Sequence, residues 1–224
     1  MNPTNADERV LAGQAVYNRF VLGVYDVFVL GLSCRLVWQC PKRLMLANYQ
    51  RNVGPRHLEL GAGTGYFPDA CTFPGEVAIT LVDLNPTVLR VSAHRLRRYR
   101  PNQVHADVLQ PLPIEAGAYD SVAMNFLLHC LPGTWAEKAA VFRNAATALR
   151  PGGRVFGSTI LAGGLPVRPA ARRLMNVYNS RGIFHNTGDD LDGLRAQLDA
   201  NFRHHRIETR GCVAVFEAGD LDRP

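Results

Sequence analysis

The chain has 224 residues, 47% apolar and 20% charged, a size and balance that close one hydrophobic core and exclude global disorder. A formal charge of +6 invites a nucleic-acid partner. The arginines do cluster, at Arg95, Arg97, Arg98 and Arg100 and at Arg168, Arg172 and Arg173, but without the interleaved aromatics of a stacking platform. The first cluster falls at a helix C-terminus, where cations complement the dipole, so a solvated basic face is expected instead.

The N-terminus, Met1 to Glu8, lacks the basic start and apolar stretch of a secretory signal. The apolar window Val21 to Trp38 carries Asp26 and Arg35, each costing about 2.5–3.5 kcal/mol near a bilayer centre, which predicts a buried or lid helix and no membrane association. Five cysteines, an odd number without a C-x-x-C pair, predict reduced thiols and a cytoplasmic location.

Helical spacing of Val16, Phe20, Tyr25, Phe28, Leu32 and Leu36 predicts helix from Ala12 to Tyr49. Gly54-Pro55 breaks it ahead of a first strand, Arg56 to Leu60, a glycine turn, and a short helix ending before Pro74-Gly75. Val77 to Val82 reads as strand two and Pro86 to Arg98 as a helix opened by proline. Asn102 to Ala106 is a short third strand, and Tyr119 to Asn125 the fourth. Trp135, Ala139, Phe142, Ala146 and Leu149 mark a helix, which Pro151-Gly152-Gly153 stops before a fifth strand, Arg154 to Leu161. Residues 162–187 show no clean period. Helix Asp189 to Phe202 and two strands, His205–Thr209 and Cys212–Glu217, close the chain. Repeated alternation of strand and helix demands an α/β fold with a parallel sheet covered on both faces, and the last two strands should be antiparallel across Gly211.

The chemistry gathers at strand ends. Glu59-Leu60-Gly61-Ala62-Gly63-Thr64-Gly65-Tyr66 carries a strand into a Gly-x-Gly-x-Gly turn and a helix, so a ligand can lie on bare backbone. A dinucleotide site spaces its glycines G-x-G-x-x-G, and here Tyr66 takes that third position. Glu59 beside the turn would repel pyrophosphate and attract an ammonium group. Asp83 closes strand two about twenty residues on, where a carboxylate accepts from ribose hydroxyls; the other reading is a cap on the next helix, which Asn85 could supply equally well. Asp107, ending strand three, suits an adenine amino group with the Val108 N–H beside it, or else is a loop aspartate satisfied locally.

Glu59 to Gly65, Asp83, Asp107, Tyr119-Asp120-Ser121-Val122 and Leu149-Arg150-Pro151-Gly152-Gly153 resemble, in order and spacing, the class I S-adenosylmethionine (SAM)-dependent methyltransferases. The resemblance covers Arg56 to Leu161 and the terminal strand pair. It implies a Rossmann-like, seven-stranded sheet in the order 3-2-1-4-5-7-6 with helices on both faces. It implies a core at 54–224, an N-terminal helical lid at 1–53, and a substrate-side insertion at 162–187. SAM contacts are implied at Glu59, Gly61, Ala62, Gly63, Gly65, Asp83, Leu84, Asp107, Val108 and Asn125. Tyr25, in a Tyr-Asp pair, is either a lid contact near the methionine end or helix core.

Asn125-Phe126-Leu127-Leu128-His129 is similar to the Asn-x-x-Leu-His pattern of small-molecule members and lacks the Asn/Asp-Pro-Pro-Tyr/Phe of enzymes on base amines. No Pro-Cys nucleophile and no metal set is found. His129 is a candidate general base or a helix-start histidine that merely hydrogen-bonds, and His185 is a second candidate base. The short chain and apolar lid are similar to small O-methyltransferases of microbial natural-product pathways, which implies a phenol, enol or pyrone as acceptor; arginines of 162–187 lining a pocket would suit such an acidic hydroxyl, and a monomer or homodimer is expected. An N-methyltransferase, an enzyme on RNA or protein, and a non-catalytic SAM-binding protein are the alternatives.

Overall fold

A computed structural model describes residues 34–219. Alternating burial builds its sheet. In β1 (Arg56–Leu60), Leu58 and Leu60 face one side and His57 and Glu59 the other, and all four are buried. β4 (Tyr119–Asn125) repeats this, with Val122 and Met124 joining Leu58 in one core while Ala123 turns to the other. β2 (Ala78–Asp83), β3 (Asn102–His105), β5 (Leu149–Ile160), β6 (His204–Arg210) and β7 (Val213–Gly219) complete the order β3-β2-β1-β4-β5-β7-β6. Neighbours are parallel except β5–β7 and β7–β6, which are antiparallel. This is the order the sequence implied. The short β3 and the polar β6 form the rims.

Helices cover both faces. α4 (Trp135–Ala148) and α6 (Leu191–Asn201) bury Val141, Phe142, Leu194 and Leu198 against Leu58, Met124 and Phe216. On the opposite face α1 (Lys42–Asn52) and α5 (Pro169–Ser180) bury Met45, Tyr49, Ala171 and Met175 with Phe156, Ile160 and Val213. Each buried Val, Leu, Ile, Phe or Met among them contributes roughly 1.5–3 kcal/mol. α2 (Tyr66–Ala70) follows the glycine turn, and α3 (Pro86–Arg95) covers Ile79 and Leu81 of β2. Among the described residues no helix is long and apolar enough to cross a membrane, and all five cysteines are free thiols.

Four elements differ from the sequence reading. The predicted helix to Tyr49 is interrupted: a single turn at Cys34–Leu36 gives way to Gln39 at φ 60 and Pro41, and α1 starts only at Lys42. Proline removes an N–H and pushes the preceding residue out of the α region. The described part of the segment expected as a lid is thus packed onto the sheet, with Asn48 Nδ2 donating to Phe216 O at 3.0 Å. The helix on Pro86 ends at Arg95, and Arg97–Tyr99 tighten into a 3-10 turn. β5 begins at Leu149, before Pro151-Gly152-Gly153, because its pairing to β4 shifts register between Tyr119 and Ser121 and absorbs those residues. Finally, 162–187 contains α5, with Pro169 in its first turn.

Candidate active site

The site lies at the carboxyl ends of β1, β2, β3 and β4. After β1 the chain turns through Gly61 (φ 70) and Gly63 (φ 51), both in the left-handed region that favours glycine. A Cβ on Gly61 would sit 2.7 Å from Leu127 Cδ1, whereas one on Gly63 meets nothing nearer among the described residues than Gly61 O at 3.9 Å. The Leu127 side chain therefore crowds position 61, while at 63 no described side chain fills the space, which fits a ligand laid on the turn. Gly61→Ala is expected to lower the melting temperature more than Gly63→Ala; Gly63→Ala should instead weaken binding of S-adenosylhomocysteine (SAH). Thermal melts and calorimetry on the two variants check this, and equal melting losses would refute it.

Asp83 ends β2 against the same turn. Asn85 is the cap of α3, its side chain accepting from Thr87 N at 2.8 Å, so Asp83 is not needed for that role. Its Oδ1 accepts instead from Asn85 N at 2.9 Å. Burial raises its pKa from 3.8 to about 6, opposed by the N–H groups of Asn85, Gly63 and Ala62 and by His105. Leu84 O accepts from His105 Nε2 at 2.8 Å, which ties β3 to the end of β2.

Asp107 Oδ1 accepts from Leu109 N at 2.9 Å, the local turn that the sequence left open as an alternative. A carboxylate has a second oxygen for a ligand. Asn144 of α4, not foreseen from sequence, holds this loop by donating to Val108 O and Gln110 O, each at 2.8 Å.

Asn125 ends β4. Its Oδ1 accepts from Ser158 Oγ at 3.0 Å, while its buried Nδ2 has no hydrogen-bond partner among the described residues. An unmet buried donor costs about 1–3 kcal/mol. The next residue, Phe126, has φ 55, a strained conformation for a bulky side chain. Strain and an unmet donor side by side make this a candidate position for a ligand contact.

Glu59 is 3% exposed, with Oε2 2.7 Å from Tyr49 Oη and 3.1 Å from His57 Nε2. Sequence reasoning missed Tyr49 and His57, although two polar residues alternating with Leu58 and Leu60 on a buried strand require partners.

His129 sits 2% exposed in a 3-10 turn, Leu128–Cys130. Its Nδ1 accepts from Ile160 N at 3.3 Å and lies 3.3 Å from Thr159 Oγ1. With Nδ1 accepting, the proton resides on Nε2, which can donate but not receive. Burial, with Lys138 nearby, pulls the ring's pKa down to about 3. These contacts fit the second of the two readings that the sequence left open for His129, a histidine that hydrogen-bonds in the turn. The His185 backbone N–H donates to His129 O at 2.7 Å, which brings residues 162–187 against the loop after β4. His185 is only partly buried.

That segment is pinned by another pair the sequence did not reveal. Lys138 Nζ, on α4, donates to Asp189 Oδ1 at 2.8 Å, Asp189 Oδ2 at 2.7 Å and His185 O at 3.0 Å. Both side chains are buried, at 0% and 2% exposure. Much of the first arginine cluster is spent internally: Arg95 donates to Thr64 O at 3.0 Å and Arg98 pairs with Asp69. Tyr25 lies outside the described residues.

A nucleoside-sized ligand is what this arrangement of strand-end acids around a bare turn can seat. Residues 58–155 match a family described as a methyltransferase domain. The chain is 45% identical over 217 residues to demethylluteothin O-methyltransferase of Streptomyces thioluteus, covering 96% of this chain and 94% of the relative. It is 38% identical over 208 residues to a physcion biosynthesis cluster O-methyltransferase of Aspergillus chevalieri, covering 92% of this chain and 94% of that one. The solved CurJ carbon methyltransferase superposes with a TM-score of 0.64 at 14% identity, over 92% of this chain and 60% of that one, a likeness of fold. The chain belongs to the class I SAM-dependent methyltransferases that act on small molecules. SAM is its methyl donor.

Proposed function

We propose that the enzyme methylates an acidic hydroxyl, a phenol, enol or pyrone, of a microbial natural product. The observation that carries this reading is the likeness, over almost the whole chain, to two O-methyltransferases. SAM, when bound, supplies an electrophilic methyl on a sulfonium, and the protein supplies orientation and electrostatics. In this reading Asp83 accepts from the ribose hydroxyls and Asp107 with the Val108 N–H takes the adenine edge. Glu59 meets the methionine ammonium, Asn125 donates from its unmet Nδ2, and Gly61, Ala62, Gly63, Gly65 and Leu84 line the nucleoside.

In this reading residues 162–187 form the acceptor side of the site. An acidic hydroxyl is already a competent nucleophile as its anion, so a weak base suffices. Of the two imidazoles, this reading assigns the uptake of that proton to His185, because Nδ1 of the buried His129 accepts from Ile160 N.

Incubation with SAM and a panel of simple phenols, 4-hydroxy-2-pyrones and primary amines tests the acceptor class, with product mass and SAH release as readouts. Methyl ethers are expected, at rates that rise with pH through each acceptor's own ionisation. Methylation of amines alone would overturn the reading.

A further inference from the structure

The buried polar cluster behind the glycine turn carries one inference beyond this assignment. It spans three elements. Gly54 N–H donates to Ser121 Oγ of β4 at 2.9 Å, and Ser121 Oγ lies 2.8 Å from His57 Nδ1 of β1. His57 Nε2 lies 2.7 Å from Tyr49 Oη of α1 and 3.1 Å from Glu59 Oε2, and Tyr49 Oη donates to that same oxygen at 2.7 Å. One assignment of protons satisfies every atom. Ser121 donates to Nδ1, Nε2–H donates towards Tyr49 and Glu59, and the phenol donates to Glu59.

Burial, followed by the Glu59 charge, pushes the Tyr49 phenol well above 10, so it stays a donor. Its ring is held by Phe67 at 6.0 Å and Phe156 at 5.1 Å between centroids. Both donors fall on Oε2, which leaves the carboxylate able to accept with its other oxygen.

We infer that Tyr49 and His57 are positioning residues for the cofactor's amino acid end: they hold the Glu59 carboxylate in one orientation, and so make cofactor affinity depend on the docking of α1. The inference rests on the assignment of Glu59 to the ammonium. A purely structural cluster would affect every ligand of the site alike. An orienting one should affect only ligands that carry the ammonium.

The test compares SAH with 5′-methylthioadenosine, which has the same nucleoside and thioether but no amino acid group. Calorimetry on Tyr49→Phe, which removes one hydroxyl, is expected to show SAH binding weakened by about tenfold, the loss of a hydrogen bond to a charged group. Methylthioadenosine binding should be unchanged within about twofold, since that ligand cannot report on the Glu59 orientation. His57→Phe, which keeps a ring in place, should give the same selective loss and serves if the first variant folds poorly. Equal losses for both ligands, or none for either, overturn the inference. Glu59→Gln separates the two levels. If it fails to weaken SAH selectively, the ammonium assignment itself is wrong. If it does so while Tyr49→Phe does not, only the positioning role falls.

Discussion

Lys138→Met is expected to destabilise the protein by about 3–5 kcal/mol, because it strands the Asp189 carboxylate inside without its cation. All three ammonium protons of Lys138 have acceptors, and the pair is sealed from solvent. Burial raises Asp189 to about 6, against the opposing pull of Lys138, and lowers Lys138. The two desolvation costs are met only while both partners remain. For a chain of this size the loss corresponds to a fall of roughly 6–20 °C in Tm. The double variant Lys138→Met with Asp189→Leu should recover most of it, since an apolar pair of similar volume avoids both penalties. Thermal melts of the three proteins decide the matter, and a single variant melting within about 2 °C of the parent would refute it.

Asp83→Asn should weaken SAH binding about tenfold by exchanging charged hydrogen bonds, worth roughly 1.5–3 kcal/mol, for neutral ones. The carboxyl titrates near 6, raised from 3.8 chiefly by burial. A raised folded-state pKa stabilises the protonated form, so this group favours folding at low pH and that contribution is lost as pH rises through about 6. Asp83→Asn should therefore not lower the melting temperature at neutral pH. Ligand affinity has the opposite sign. Ribose hydroxyls favour the carboxylate, so SAH binding to the parent should weaken as pH drops below about 6 and level off about tenfold lower. The variant should be flat over that range. Calorimetry from acid to neutral pH tests both, and parallel pH profiles would remove Asp83 from the site.

The sheet was legible because its signals are local. Glycines 61, 63 and 65 follow a strand, Pro86 opens a helix, and Gly211 separates two strands. α5 was missed even though Ala171, Leu174, Met175 and Tyr178 stand at helical spacing, because flanking prolines, glycines and arginines obscured the stripe. The positions at the strand ends were readable for the same local reason. Their chemistry was not. The role of His129 turns on which ring nitrogen Ile160 occupies, and Lys138 meets Asp189 across a separation of 51 residues. Neither fact leaves a mark on composition or periodicity. The bond from Tyr49 to Glu59 spans only 10 residues, yet it crosses the break at Gly54-Pro55 that separates helix from strand in any local reading.

The rims of the sheet have a consequence for the molecule in a crowded solution. An open strand edge offers unpaired amides to any passing chain. One rim here, β3, runs only from Asn102 to His105, and the other, β6, reads His204-His205-Arg206-Ile207-Glu208-Thr209-Arg210. A foreign strand would have to bring hydrated ions and imidazoles together to extend either side. Growth by strand addition is thereby discouraged by the rim strands themselves, and the described sheet can end at its seventh strand.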